Sequence, residues 1–283
     1  MIQEPILQQI VNWAKRSDVI RTLFLIGSRA EKGEIDNLSD YDIAVFVSDL
    51  NPFIITSSWM KDIDELLLYQ KSKFYYNEKE IETRLVLYKN CQRVDFSFWD
   101  NSILIDFIKN GLPDIFNIGY ITLLDKDGFT KNLARPTYNG YIEEKPTQDF
   151  FLKRIFDFWF EVYCVAKYLK RKDFFYTIIL RKELDTHILQ MIIWYMQSKN
   201  EWSLKINSMG KKMQSWVDTE IWEELNSIYS HLDFKDGWRG LFEIVSLYKK
   251  LTKEVATKMS YFYPELVEQN IIEYIYNLKK STP

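Results

Sequence analysis

The sequence predicts an α+β protein in two domains, a strand-and-helix domain over residues 1–140 followed by an all-helical bundle over residues 147–283. Three observations predict it. Up to residue 125, short β-branched and aromatic runs alternate with segments of helical period. Residues 135–146 then concentrate Pro, Gly, Asn and Tyr, the composition of a connection rather than of a packed element. Beyond Thr147 almost every segment carries its apolar residues at helical spacing. A length of 283 residues also exceeds what one hydrophobic core comfortably supports.

In chain order, apolar residues from Ile6 to Ala14 recur three and four apart, which gives a helix with one buried stripe. RTLFLI at 21–26 reads as a buried strand ending at Gly27, and YDIAVFV at 41–47 as a second strand. WMKDIDELLLYQ at 59–70 returns to helical period and is expected to be a helix. ETRLVLY and RVDFSFW read as two strands joined by the short stretch 89–92, hence an antiparallel pair. A helix over 103–109 follows, and ITLLD forms a strand that closes on the turn Lys126-Asp127-Gly128. In the second domain Thr147 is placed to cap the first helix and Pro264 to open the last. Lys170-Arg171-Lys172 reads as a solvated helix end.

Composition bounds the function classes. Hydrophobic residues at 47% and charged residues at 27% describe a soluble globular chain. The aromatic share of 16% is high enough for some rings to line a flat or cationic ligand site. A net charge of −3 argues against a nucleic-acid partner, which draws on a basic surplus, and suits a cationic ligand. The two cysteines, Cys91 and Cys164, lack metal-ligand spacing, so reduced thiols in the cytoplasm are expected. The opening MIQEPILQQIVNWAKRSDVI lacks the basic-then-apolar order of a signal peptide. No apolar run reaches membrane-spanning length, so no membrane partner is expected.

The chemistry concentrates in LFLIGSRAEKGEIDNLSDYDIAVFV and, some fifty residues later, RVDFSFW. Asp40 and Asp42 are two apart at the start of a strand, so the pleat turns both to one face. Asp95 lies inside another strand, where an unpaired carboxylate is costly and a cation would relieve the cost. Three converging carboxylates suit two Mg²⁺ ions shared with substrate phosphates. Gly27-Ser28 at a strand end lets backbone N–H groups approach a triphosphate and adds a hydroxyl donor. A lone Gly-Ser or Asp-x-Asp is usually a turn or a cap. The ordered combination is far more specific.

That combination resembles the DNA polymerase β-type nucleotidyltransferase superfamily, and more narrowly the aminoglycoside 6-adenylyltransferases, the streptomycin adenylyltransferase family. The similarity runs through IGSRA, SDYDIAVFV, RVDFSF, LLDKDG, RIFDFWFEVYCVAKYL and YFYPELVEQNIIEYI. It implies a polymerase β-like mixed sheet with flanking helices ahead of the helical bundle. It also implies that Gly27 and Ser28 hold the triphosphate, assisted by Arg29, and that Asp40, Asp42 and Asp95 are catalytic and bind Mg²⁺. The implied reaction moves AMP from ATP to a hydroxyl of a cationic aminoglycoside such as streptomycin, releasing pyrophosphate and conferring resistance. Where the family carries Asn-Glu-Phe-Trp-Trp, this chain reads Phe156-Asp157-Phe158-Trp159-Phe160, so the acid is kept but shortened.

From the residues themselves, Asp157 and Glu161 are four apart on one helix and share a face that suits a cationic sugar, although a solvated helix face explains them equally well. Trp159 faces elsewhere, Lys167 reads first as a surface lysine, and His187 and His231 as structural. Glu80 and Glu82 are candidates for a base by proximity alone. Two other readings use the same block. One is a nucleotidyltransferase for a lincosamide or a protein hydroxyl. The other is a non-catalytic nucleotide-binding or antitoxin-like module, which has no need of all three aspartates.

Overall fold

The computed structural model describes residues 4–30, 39–138, 143–206, 208–228 and 234–280. The chain divides into two compact units, Met1–Gly140 and Tyr141–Pro283. His231 and most of the stretch between Arg29 and Asp40 lie outside the described residues.

The first unit is a six-stranded mixed sheet with helices on both faces. Helix α1 (Pro5–Arg16) leads into β1 (Ile20–Ile26), and β2 (Tyr41–Val47) follows the Gly-Ser turn. After the single turn α2 (Asn51–Ile54) come β3 (Leu66–Tyr76), β4 (Lys79–Tyr88) and β5 (Gln92–Asp100). Helix α3 (Asn101–Asn110), the single turn α4 (Asp114–Asn117) and β6 (Ile121–Asp125) complete it. The strand order is β3-β4-β5-β2-β1-β6, with only β2 and β5 parallel.

Strand alternation sends side chains to two cores. Leu23, Leu25, Ile43, Val45, Phe96 and Phe98 pack under the Ile6, Ile10 and Trp13 stripe of α1. Phe24, Ala44, Phe46 and Trp99 pack against Ile103, Leu104 and Phe107 of α3 and Phe116 of α4. A sheet covered on both faces explains why β1 and β2 read as unbroken apolar runs. Asp100 fixes the start of α3 by accepting the Ser102 N–H at 2.8 Å.

One expected element is overturned. Residues 59–70 do not form a helix; Ser58–Asp62 make a 3₁₀ turn, and the chain then enters edge strand β3. The apolar residues that suggested a helical stripe, Trp59, Met60 and Ile63, are buried by the turn itself. The leucines after them satisfy their backbone against β4 through a tight hairpin at Asn77-Glu78, both with positive φ (46° and 63°). Cross-strand pairing outweighs local propensity there, and a turn without glycine gives the sequence little to signal it.

The second unit contains α5 (Gln148–Arg171), α6 (Phe174–Lys199), α7 (Thr219–Ile228), α8 (Phe234–Met259) and α9 (Glu265–Lys280). Thr147 caps α5, accepting the Phe150 N–H at 3.3 Å, and Lys172 ends it in a left-handed conformation. Pro264 precedes α9 by one residue, and its carbonyl accepts the Val267 N–H at 3.1 Å. Phe151, Ile155, Phe158, Val162 and Leu169 form the buried stripe of α5, and Phe158 stacks on Tyr248 with ring centroids 3.5 Å apart. No helix among the described residues is long and apolar enough to cross a membrane.

Candidate active site

The site grows from the face of the sheet that also carries the α3 core. On β5 that face reads Arg93, Asp95, Ser97, Trp99, and on β2 it reads Asp42, Ala44, Phe46. Apolar contact therefore gives way to charge at one end of both strands. Because β2 and β5 run parallel in register, Asp42 lies directly beside Asp95. Asp40, two residues before Asp42, belongs to the same side. A separation of more than fifty residues is closed by strand pairing.

The carboxylates are organised by a residue that sequence reasoning missed. Arg93 forks onto Asp95, its Nε donating to Oδ1 at 2.9 Å and Nη2 to Oδ2 at 2.7 Å. Its Nη1 lies 3.2 Å from Oδ2 of Asp40. The three aspartates raise the Arg93 pKa, Asp95 above all through its hydrogen bond, while burial opposes them. The available signal was Arg93 two places before Asp95 on a strand, hence on its face. The cation that the semi-buried Asp95 demands is in the first instance this guanidinium.

Gly27 closes the site from β1. It sits at φ +68°, a conformation that costs any L side chain, and opens a 3₁₀ turn over Gly27–Arg29. A Cβ placed on Gly27 would strike the Asp42 carboxylate, with Cγ at 2.9 Å and Cβ at 3.2 Å. Glycine is thus demanded twice, by backbone angle and by the approach of Asp42. Ser28 is exposed. Arg29, expected to assist with nucleotide, is engaged by neighbouring protein groups. Its Nε donates to the Ser39 carbonyl at 3.0 Å, Nη1 pairs with Glu4 at 3.2 Å, and the guanidinium lies 3.9 Å from the Tyr41 ring centroid. These contacts brace the chain where it enters β2 with Asp40 and Asp42.

The donor set is all carboxylate oxygen, the chemistry that Mg²⁺ prefers, and it already draws a cation. Among the described residues no group of three or more His, Cys, Asp or Glu side chains is closed into a ready metal shell. Asp40, Asp42 and Asp95 fit the metal as a set that needs adjustment, with Arg93 occupying oxygens a metal would use.

The other candidates separate. Glu80 is tied to Lys73 and Tyr75, and Glu82 to the buried Arg84, so both have structural partners. In the helical unit, Asp157 pairs with Lys153 at 2.6 Å. Glu161 keeps a buried Oε2 without a hydrogen-bond partner. Burial first, then Glu183 of α6, then Asp157 hold the Glu161 carboxyl above the usual range. Glu183 was not legible in the sequence, because its approach depends on how α5 and α6 pack. Trp159 is buried in the core, Lys167 lies over the Tyr163 ring, and burial pushes His187 down to about 4. Both cysteines are free thiols.

Comparisons with known proteins agree over nearly the whole chain. The family described as Streptomycin adenylyltransferase matches residues 2–278. An aminoglycoside 6-adenylyltransferase from Campylobacter jejuni is 28% identical over 282 residues, covering 96% of this chain and 94% of its own. One from Bacillus subtilis (strain 168) is 26% identical, covering 94% of each chain. One from Staphylococcus aureus is 24% identical, covering 97% and 98%. Among solved structures, a Bacillus subtilis aminoglycoside 6-adenyltransferase is 21% identical with a TM-score of 0.48, covering 99% of this chain and 100% of the other.

Proposed function

The chain belongs to the streptomycin adenylyltransferase family, and from that premise we propose that it moves AMP from Mg-ATP to a hydroxyl of a streptomycin-like aminoglycoside and so confers resistance. The observation that supports the reading is Asp42 packed against Gly27 and paired in register with Asp95, with Arg93 bridging Asp95 to Asp40.

The acceptor oxygen attacks the α-phosphorus, the bond to the bridging oxygen breaks, and pyrophosphate leaves. Its proton passes to a carboxylate within hydrogen-bond reach. Asp40, Asp42 and Asp95 would hold divalent cations, which would neutralise triphosphate charge and lower the pKa of the attacking hydroxyl. Gly27 admits the triphosphate to the backbone, and Ser28 offers its hydroxyl. Arg29 acts on the site through the Ser39 carbonyl and Glu4, steadying the strand that carries Asp42. Asp157, Glu161 and Glu183 gather negative charge where a polycationic acceptor gains by it. Use of ATP fits a cytoplasmic enzyme with no nucleic-acid or membrane partner.

The test is direct. Protein, Mg-ATP and a panel of aminoglycosides and lincosamides are incubated, and products are weighed by mass spectrometry. One AMP gained by an aminoglycoside supports the reading; gain only by a lincosamide, or by none, overturns it. Asp42→Asn nearly preserves shape and relieves repulsion among clustered carboxylates, so it should abolish transfer while leaving the fold intact. A folded Asp42→Asn protein with near-normal turnover would remove Asp42 from the mechanism.

A further inference from the structure

Arg93 uses both oxygens of Asp95 and one oxygen of Asp40 at once. Three carboxylates and one guanidinium leave the cluster net negative, so it still attracts cations, yet less than the aspartates would alone. Mg²⁺ requires carboxylate oxygens at about 2.0–2.1 Å in near-octahedral geometry. A bidentate fork takes one lone pair of each Asp95 oxygen and sets a like charge beside the remaining ones, so a metal binds there less tightly until the fork opens.

We propose, resting on the functional reading above, that Arg93 is a built-in counter-cation of the carboxylate site. It competes with divalent metal for Asp95 and Asp40, so that metal is taken up together with nucleotide rather than ahead of it. The triphosphate brings the negative charge that offsets the added cation and lets Arg93 yield. Arg93 is well placed to yield, because its side chain is 45% exposed and loses little hydration by moving, whereas Asp95 at 19% is held by its strand. Arg93 is thus a positioning residue that sets the order of assembly.

The experiment titrates Mn²⁺ into nucleotide-free, chelator-treated protein, following bound metal by electron paramagnetic resonance. Wild type is compared with Arg93→Gln, which removes the charge, and Arg93→Lys, which keeps the charge without the fork. Arg93→Gln should bind Mn²⁺ about tenfold or more tightly than wild type, and Arg93→Lys by a smaller factor. With ATP present the three affinities should draw together. In chelator Arg93→Gln should melt below wild type, and Mn²⁺ should restore it. Unchanged or weaker Mn²⁺ binding by Arg93→Gln overturns the proposal. Should Arg93→Gln not fold, unchanged or weaker binding by Arg93→Lys overturns it equally. AMP transfer measured on the same preparations separates the two ideas. Transfer by wild type with unchanged Mn²⁺ affinity in the variants sinks the counter-cation alone. Tighter Mn²⁺ binding in Arg93→Gln together with no transfer by wild type to any acceptor sinks the functional reading alone.

Discussion

Replacing Gly27 with alanine tests the geometry of the site at its tightest point. The backbone there has φ +68°, and a left-handed residue with a Cβ costs about 1–2 kcal/mol. The new methyl also lands in the Asp42 carboxylate, where overpacking costs about 1–3 kcal/mol more. Gly128 supplies the control, since it sits at φ +73° in the turn after β6 with nothing within 4 Å of a Cβ. Gly128→Ala should therefore cost only the backbone part, about 1–2 kcal/mol, and lower the melting temperature by roughly 3–6 °C. Gly27→Ala should cost about 2–5 kcal/mol, or roughly 6–15 °C. The displaced Asp42 should also reduce AMP transfer about a hundredfold, the scale of an ångström-level misplacement of a catalytic group. Calorimetry and a coupled pyrophosphate assay read the two quantities. Equal melting shifts and equal turnover in the two alanine proteins would refute the close packing of Gly27 on Asp42.

Two further predictions concern the helical unit. Asp157→Ala should weaken binding of a polycationic aminoglycoside about tenfold and leave ATP binding unchanged, as expected of one charge-assisted contact that must first be exchanged from Lys153; equal losses for both ligands in calorimetry would assign Asp157 to structure. His187, held by burial at about 4, binds fewer protons in the folded chain than in the unfolded one between that value and the ordinary histidine range. Stability should therefore rise with pH from about 4 to 6.5, and His187→Gln should flatten this part of the urea-midpoint profile; an identical slope in both proteins would show that His187 does not carry it.

By itself the sequence determined the elements whose periodicity is unambiguous: the α1 stripe, the apolar strands β1 and β2, the β4–β5 pair, and the long helices after Thr147. It also singled out Gly27, Asp40, Asp42 and Asp95, because a glycine at a strand end and carboxylates within strands are costly unless something uses them. What it could not carry was pairing. Residues 59–70 have a helical pattern locally and turn into a 3₁₀ turn and an edge strand because β4 offers a ladder and a two-residue hairpin. Arg93 looked like one charge among many until the parallel register of β2 and β5 brought Asp40 and Asp95 within reach of one guanidinium. Glu183 met Glu161 only through the packing of α5 on α6. Periodicity and local cost are properties of neighbouring residues and can be read along the chain. The partner of a charged side chain is fixed by strand register and helix packing, and these exist only once distant segments have come together.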